Sequence, residues 1–258
     1  MSVASDTASP RLFGLSTSPW TAKASFSLDW AGIPYVFVEH TPMLGERRLR
    51  KLAGTRLASV PLLVGPEGPI MGSLEIARWA DASSTAQLFP IAMETDVLAW
   101  HQRSERLLES ARALLLQAAL ASPIAQQEAV PGFVPEPLRP AFRFAARQGL
   151  EFLMRKYRVP RSDGTDLLAS IHEGLEPLRR AVAEAGERTT LLARFTFADV
   201  AMACALNGFS PTDAEPRTRS MGRGFRAAWH REEIVSRYPE LFAWRDRIYE
   251  QHRGAFAS

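Results

Sequence analysis

The sequence predicts two packed units in one chain, a small mixed α/β layer at the front and an all-helical region behind it. Two patterns point there. Over residues 11–82 the hydrophobic spacing switches repeatedly between strand-like and helix-like periods. Beyond a polar connector at Ser83–Pro90, over residues 91–252, strand patterns vanish and only helical spacing remains. The composition is that of a globular chain: 258 residues, 46% hydrophobic and 23% charged, enough for two modest domains with real cores.

The elements follow in order. Arg11–Leu15 reads as a short strand. Ser18-Pro19 looks like a helix start, because serine is a good N-cap and proline fits the first helical position. Ala24, Leu28 and Ala31 repeat at helical spacing until Gly32, a helix stop. Tyr35–Val38 is a second strand, and Leu44–Leu52 a charged helix ending near Gly54. Pro61–Val64 and Ile70–Met71 are strands flanking a turn-rich segment, and Ser73 caps a helix through Ala80. A βαβ unit, a hairpin and a helix make a small mixed sheet with helices on its faces.

In the second half, Val97, Trp100, Ser104, Leu107, Ala111, Leu114 and Ala118 trace one face of a long helix. Ser122–Pro140 is proline-rich and reads as a loop. Phe142, Ala145, Gly149 and Phe152 line the next helix, and Ile171, Leu175, Leu178 and Val182 another. Phe197–Asn207 is strongly apolar, Ser210–Arg226 reads as a loop, and Leu241, Trp244 and Ile248 mark a last helix.

Composition excludes several classes. No apolar run reaches the ~18 residues of a membrane span. Met1–Pro10 is small and polar, without the basic start and apolar core of a signal peptide, and reads as a frayed tail. One cysteine, Cys204, rules out an internal disulfide and fits a reducing, cytoplasmic setting. A net charge of +3 gives no case for nucleic acid. No His, Cys or acid spacing suggests a metal, so none is expected.

Four segments, taken in order, resemble the cytosolic glutathione transferase superfamily, in particular its serine-type, bacterial-like members. They are Ser16-Thr17-Ser18-Pro19-Trp20 with Gly32-Ile33-Pro34-Tyr35 downstream, Ser59-Val60-Pro61-Leu62-Leu63, Gly72-Ser73-Leu74-Glu75-Ile76, and Phe195-Thr196-Phe197-Ala198-Asp199-Val200. The resemblance covers residues 11–252. It implies a thioredoxin-like front domain, an all-α back domain, glutathione as co-substrate, a homodimer, and a role in detoxification.

The resemblance also implies a chemistry for each segment. Ser18, at a helix start, would hold the glutathione sulfur as a thiolate; Ser16 is the main rival and Thr17 a third choice. The plainer alternative is that Ser18 only caps its own helix. The family's cysteine-type members carry Cys in this segment, and its absence here speaks against a thiol–disulfide reductase. Pro61 resembles the family's cis-proline, which presents the Val60 backbone to a tripeptide as an added strand. Ser73 would anchor the γ-glutamyl carboxylate at a helix N-terminus. The family's usual acid just before that serine is replaced by Gly72, and Glu75 is expected to point elsewhere, so the ligand ammonium lacks its partner.

Thr196 and Asp199 form a structural N-capping pair, with Phe195 and Val200 as a hydrophobic staple. Cys204, among alanines on that helix, reads as a buried inert thiol. An acceptor pocket between the domains would draw on Trp20, Trp100, His101, Ser104 and Leu108, for several of which plain core or surface positions are the alternative. The 122–140 loop, with Phe133 and Phe142, would cover it. The basic run Arg217, Arg219, Arg223, Arg226, His230 and Arg231 reads as a solvated loop or an anion-binding lid.

The leading functional expectation is conjugation of the glutathione thiolate to a hydrophobic electrophile. The alternatives are a non-catalytic ligand- or protein-binding member, which Gly72 favours, and a glutathione-dependent isomerase or dehalogenase.

Overall fold

The computed structural model describes residues 9–128, 130, 134–159, 164–216 and 221–253. The predicted fold class is the observed one. Four strands, β1 (Arg11–Gly14), β2 (Val36–Glu39), β3 (Leu62–Gly65) and β4 (Gly68–Met71), form a sheet in the order β2-β1-β3-β4. β1 runs parallel to β2, and antiparallel pairings join β1 to β3 and β3 to β4.

Both faces of this sheet are covered, which is why its central strands read as short apolar runs. Successive side chains point to opposite faces. Leu12 and Leu63 pack against α1 (Pro19–Trp30) and α3 (Ser73–Ala82) in a cluster with Ala24, Leu28, Ile76 and Ala80. Phe13 and Leu62 enter the opposite cluster, with Leu49 from α2 (Glu46–Ala53). Each fully buried leucine or phenylalanine contributes roughly 1.5–3 kcal/mol. Gly54 ends α2 in the left-handed conformation, at φ +66°, as its position in the sequence predicts.

The rest of the described chain is helical: α4 (Glu94–Ala121), α5 (Pro123–Glu128), α6 (Arg139–Lys156), α7 (Thr165–Ala185), α8 (Phe197–Leu206), α9 (Arg223–Trp229), α10 (Glu232–Arg237) and α11 (Pro239–His252). Every residue of α8 is buried, and its small side chains let α1, α4 and α11 pack around it. The capping box is present: the Thr196 amide donates to Asp199 Oδ2 at 2.8 Å and the Ala198 amide to Thr196 Oγ1 at 3.3 Å. Burial lifts the Asp199 carboxyl to about 6 against the hydrogen bonds from Leu191 and Thr196 that oppose it. Phe195 and Val200 join the same central cluster. Cys204 is fully buried, with Sγ 3.4 Å from the Tyr249 hydroxyl, and burial pushes its thiol up to about 11. It is an inert thiol.

Three local expectations are corrected. The 122–140 segment is not simply a loop. It contains α5, a single 3₁₀ turn at Glu136–Leu138 and the start of α6. α6 buries Ala146, Leu150 and Met154 rather than the stripe through Phe142, which is 46% exposed. The segment read as a loop through Arg226 already holds the first turn of α9.

The two halves are locked together through α1. Its Ala22 and Phe26 belong to the helical core, while Ala24 and Leu28 serve the sheet. From the far end of the chain, Arg253 inserts beside α1. Its guanidinium donates to Ser25 Oγ at 2.9 Å and pairs with the buried Glu215 carboxylate at 2.7 Å and with Asp29 at 3.5 Å. Burial works against this charge, but Glu215, Tyr249 and Asp29 outweigh it and raise the arginine pKa above its usual value. Arg253→Ala removes the guanidinium that compensates Glu215, and we expect a loss of roughly 3–5 kcal/mol in urea denaturation. The double change Arg253→Met with Glu215→Gln should lose clearly less, because the buried carboxylate goes too.

Candidate active site

Between the sheet edge and the helices lies a cavity of about 390 Å³. Its front wall comes from three segments of the α/β domain: Leu15 and Thr17 to Trp20, Ser59 to Pro61, and Gly72 to Glu75. Its back wall comes from α4 through His101, Glu105, Leu108, Arg112 and Leu115, from α6 through Leu150, Leu153 and Tyr157, and from α9 through Phe225 and Trp229.

Each front segment is a backbone end. Ser18 is the N-cap of α1, with extended backbone at φ −78° and ψ 125°. Its hydroxyl makes no capping hydrogen bond to the N–H groups of the first turn. The Ser18 amide donates to the Leu15 carbonyl at 3.0 Å and the Ala22 amide to the Ser18 carbonyl at 2.9 Å. The side chain is thus left over at the positive end of a helix. Ser16 lies outside the cavity, in a small neighbouring recess, with its amide held by the Glu39 carboxylate at 3.1 and 3.2 Å.

The Val60–Pro61 bond is cis, and both residues line the cavity. The start of α3 departs from expectation. Gly72, not Ser73, is the N-cap, at φ +104°; Ser73 is the first helical residue and is buried at the cavity wall, without a side-chain cap bond. Glu75 does not point elsewhere. Its carboxylate folds back over Gly72, where a Cβ built on the glycine would overlap it, and it lines the cavity. A side chain at Gly72 would therefore meet both a strained φ and the Glu75 carboxylate.

The predicted pocket residues separate. Trp20, His101 and Leu108 line the cavity. Ser104 does not: it is fully buried behind the wall, accepting from Lys23 Nζ at 2.7 Å. Trp100 lies on another side of α4, in a surface groove with Arg103, Pro177 and Arg180, its ring 5.6 Å from the Arg103 guanidinium carbon. Phe142 does not line the cavity, and Phe133 falls outside the described residues. Of the basic run, Arg217 and Arg219 also fall outside them. Arg226 pairs with Asp213 at 3.0 Å and His230 with Glu232 at 2.9 Å, and none of Arg223, Arg226, His230 and Arg231 lines the cavity.

Sequence reasoning missed Lys23, Glu105, Arg112, Tyr157, Phe225 and Trp229. Lys23 has no exposure and donates to Glu105 Oε1 at 2.6 Å; Trp20 Nε1 donates to Glu105 Oε2 at 2.8 Å. Burial pulls the Lys23 ammonium down from its ordinary value against the attraction of Glu105. For Glu105 burial acts upward, but the Lys23 charge and the bonds from Lys23 and Trp20 prevail and hold it below the usual carboxylate range. A legible signal did exist on α4: His101, Glu105, Leu108, Arg112 and Leu115 recur at alternating four- and three-residue steps, one helical stripe.

Among the described residues no group of three or more His, Cys, Asp or Glu could hold a metal, and no helix is long and apolar enough to cross a membrane.

The front sheet with its cis-proline loop, the helix-end hydroxyl and the all-helical partner define a glutathione transferase fold. Residues 12–86 match the family model for the glutathione S-transferase N-terminal domain. No curated protein sequence matches it. Solved structures that resemble it do so along almost their full length. A glutathione S-transferase of Methylobacillus flagellatus, with glutathione bound, has a TM-score of 0.56 at 16% identity, covering 95% of this chain and 98% of that one. One from Ceriporiopsis subvermispora, in complex with glutathione, gives 0.58 at 15%, over 95% and 97%. One from Methylobacterium radiotolerans, complexed with glutathione sulfonate, gives 0.56 at 19%, over 96% and 92%. At these identities the likeness is one of fold.

The cavity wall has a titration signature. Burial, then the nearby Lys23 charge, pulls His101 down from 6.5 to about 4, with Glu105 opposing. The unfolded chain takes up this proton near 6.5, and the folded one not until about 4. His101 therefore supports the fold above the ordinary histidine pKa, and that support is lost as pH falls towards 4. An NMR titration of the imidazole should find its midpoint near 4, and His101→Asn should flatten part of the loss of stability between neutral pH and pH 4.

Proposed function

We propose that this protein conjugates glutathione, as its thiolate, to a hydrophobic electrophile held in the helical half of the cavity. The observation that carries the reading is the Ser18 hydroxyl, uncommitted at the start of α1 on the cavity wall. Glutathione thiol is mostly protonated at neutral pH, since a free thiol titrates at about 8.5. A hydrogen bond from Ser18 stabilises the anion, and the helix dipole adds about 0.3–1 kcal/mol. Ser18 is preferred to Ser16, which lies outside the cavity; Thr17, the third choice from sequence, lines it and takes Ser16's place as the rival.

The remaining binding roles fall along the same wall. Val60, before cis-Pro61, pairs with the extended tripeptide backbone. The free N–H groups at the start of α3, with Ser73, take the γ-glutamyl carboxylate. Glu75 takes the ammonium. Its carboxylate occupies the space over Gly72, so the acid missing at that position is replaced from one helical turn further on. This supports the catalytic reading over the non-catalytic alternative that Gly72 favoured.

Chemically, the thiol proton leaves to solvent, the thiolate attacks the electrophilic carbon, and a C–S bond forms as the leaving group departs with the electron pair of the broken bond. The protein lowers the cost of the anion and aligns the two reactants. Trp20, His101 and Leu108 border the site of attack. His101, neutral at pH 7, adds no competing positive charge.

Turnover of a chloronitrobenzene with glutathione tests the reading. Ser18→Ala should lower kcat by about 10- to 100-fold, the cost of one hydrogen bond to a charged group, while Ser16→Ala leaves it near wild type. Glu75→Gln should raise KM for glutathione about tenfold or more with kcat little changed. Wild-type rates in Ser18→Ala would assign the thiolate elsewhere.

A further inference from the structure

Beyond His101, Glu105 and Tyr157, the helical half of the cavity is apolar except for one cation, Arg112. Leu115, Leu116, Leu150, Leu153, Phe225 and Trp229 surround it. Arg112 projects from α4 into this wall, its guanidinium carbon 4.7 Å from the Trp20 ring and 3.9 Å from the Tyr157 ring. Ring faces attract a cation, but a guanidinium carries five N–H donors in its own plane, and those need acceptors.

The neighbouring charges are accounted for. Glu105, two stripe positions away, is committed to Lys23 at 2.6 Å and to the Trp20 indole at 2.8 Å. Glu109, the other acid nearby, is exposed and makes no ion pair with Arg112. Among the described residues no carboxylate lies within 4.0 Å of Arg112, and its Nε is buried without a hydrogen-bond partner. Burial lowers the pKa of this arginine, and Tyr157 and the two acids only partly oppose that. A partly buried cation without a fixed counter-ion is costly unless a ligand supplies one.

We infer that the second substrate is an apolar molecule carrying a carboxylate, which Arg112 binds in the helical half of the cavity. The inference rests on the preceding reading only in taking this half as the acceptor site. A planar carboxylate matches the guanidinium fork with two parallel hydrogen bonds. The Trp20 and Tyr157 rings attract the cation but supply no acceptor oxygen in the guanidinium plane. Leu150, Leu153, Phe225 and Trp229 take the apolar body. The placement sets orientation as well as affinity. Arg112 lies two helical turns along α4 from Glu105, so an acid anchored there extends its reactive end toward Ser18 at the start of α1.

The test uses a matched pair of probes, a chloronitrobenzoate and the chloronitrobenzene that lacks only the carboxylate. Calorimetric titration without glutathione reads binding alone. The wild type should bind the benzoate at least about tenfold more tightly than its neutral partner. Arg112→Gln should bind the two equally, and Arg112→Lys should regain part of the preference. Circular dichroism and thermal melts establish that both variants are folded. If Arg112→Gln melts early, the comparison of the two probes on the wild type and on Arg112→Lys still decides. Equal binding of both probes by the wild type, or a preference surviving in Arg112→Gln, overturns the inference. Turnover of either probe with glutathione is measured separately, so a missing conjugation activity with an intact benzoate preference would sink the functional reading and leave the anion site standing.

Discussion

An ammonium with no exposure to water must have its counter-ion built into the fold. Lys23 is such a group, and its partners Ser104 and Glu105 lie across the domain boundary on α4. The pair fixes which face of α1 meets which face of α4. Glu105 also holds the Trp20 indole, three residues nearer the start of α1, so the same carboxylate orients the first turn of that helix. Everything at the cavity follows from this registration. Ser18 reaches the wall because α1 begins just there, and Arg112 reaches Trp20 because α4 is in this phase. Buried ion pairs seldom add net stability over well-packed apolar groups. Here the pair's contribution is geometric: it ties the α/β side of the cavity to the helical side. Arg253 performs a similar task from the other flank of α1, on Ser25, Asp29 and Glu215.

At the start of α3 a glycine with positive φ and an acid three residues later share one space, the Glu75 carboxylate folding back over Gly72. Glycine leaves room for that carboxylate, so neither position can be read alone.

How much of this was legible in the sequence depends on the range of the interaction. Local signals served well. The Gly54 helix stop, the Thr196–Asp199 capping box and the succession of strands and helices in the front half all follow from neighbouring residues. The prolines of the 122–140 segment misled, because proline both breaks helices and starts them. Pro123 opens α5 and Pro140 sits in the first turn of α6. α6 carries two apolar stripes, and only packing decides that Leu150 rather than Phe142 goes inside. α9 and α10 are too short to show a period. At the site, Ser18, Val60 and Ser73 were found as backbone-end residues. Lys23, Glu105 and Arg112 were not, since a charged residue in a helix reads as surface until the tertiary partner is known. Glu75 is misplaced when Ser73 is read as the cap; with Gly72 as N-cap, Glu75 is the third helical residue, whose side chain leans back toward the N-terminus.

The central claim is that the start of α1 keeps the glutathione sulfur anionic. Its most direct measurement is the ultraviolet absorbance of the thiolate in the binary complex, followed as pH is raised. The account predicts that bound glutathione ionises clearly below the roughly 8.5 of a free thiol, and that Ser18→Ala returns the midpoint most of the way to that value. A wild-type midpoint no lower than free glutathione, or one that Ser18→Ala leaves in place, would contradict it.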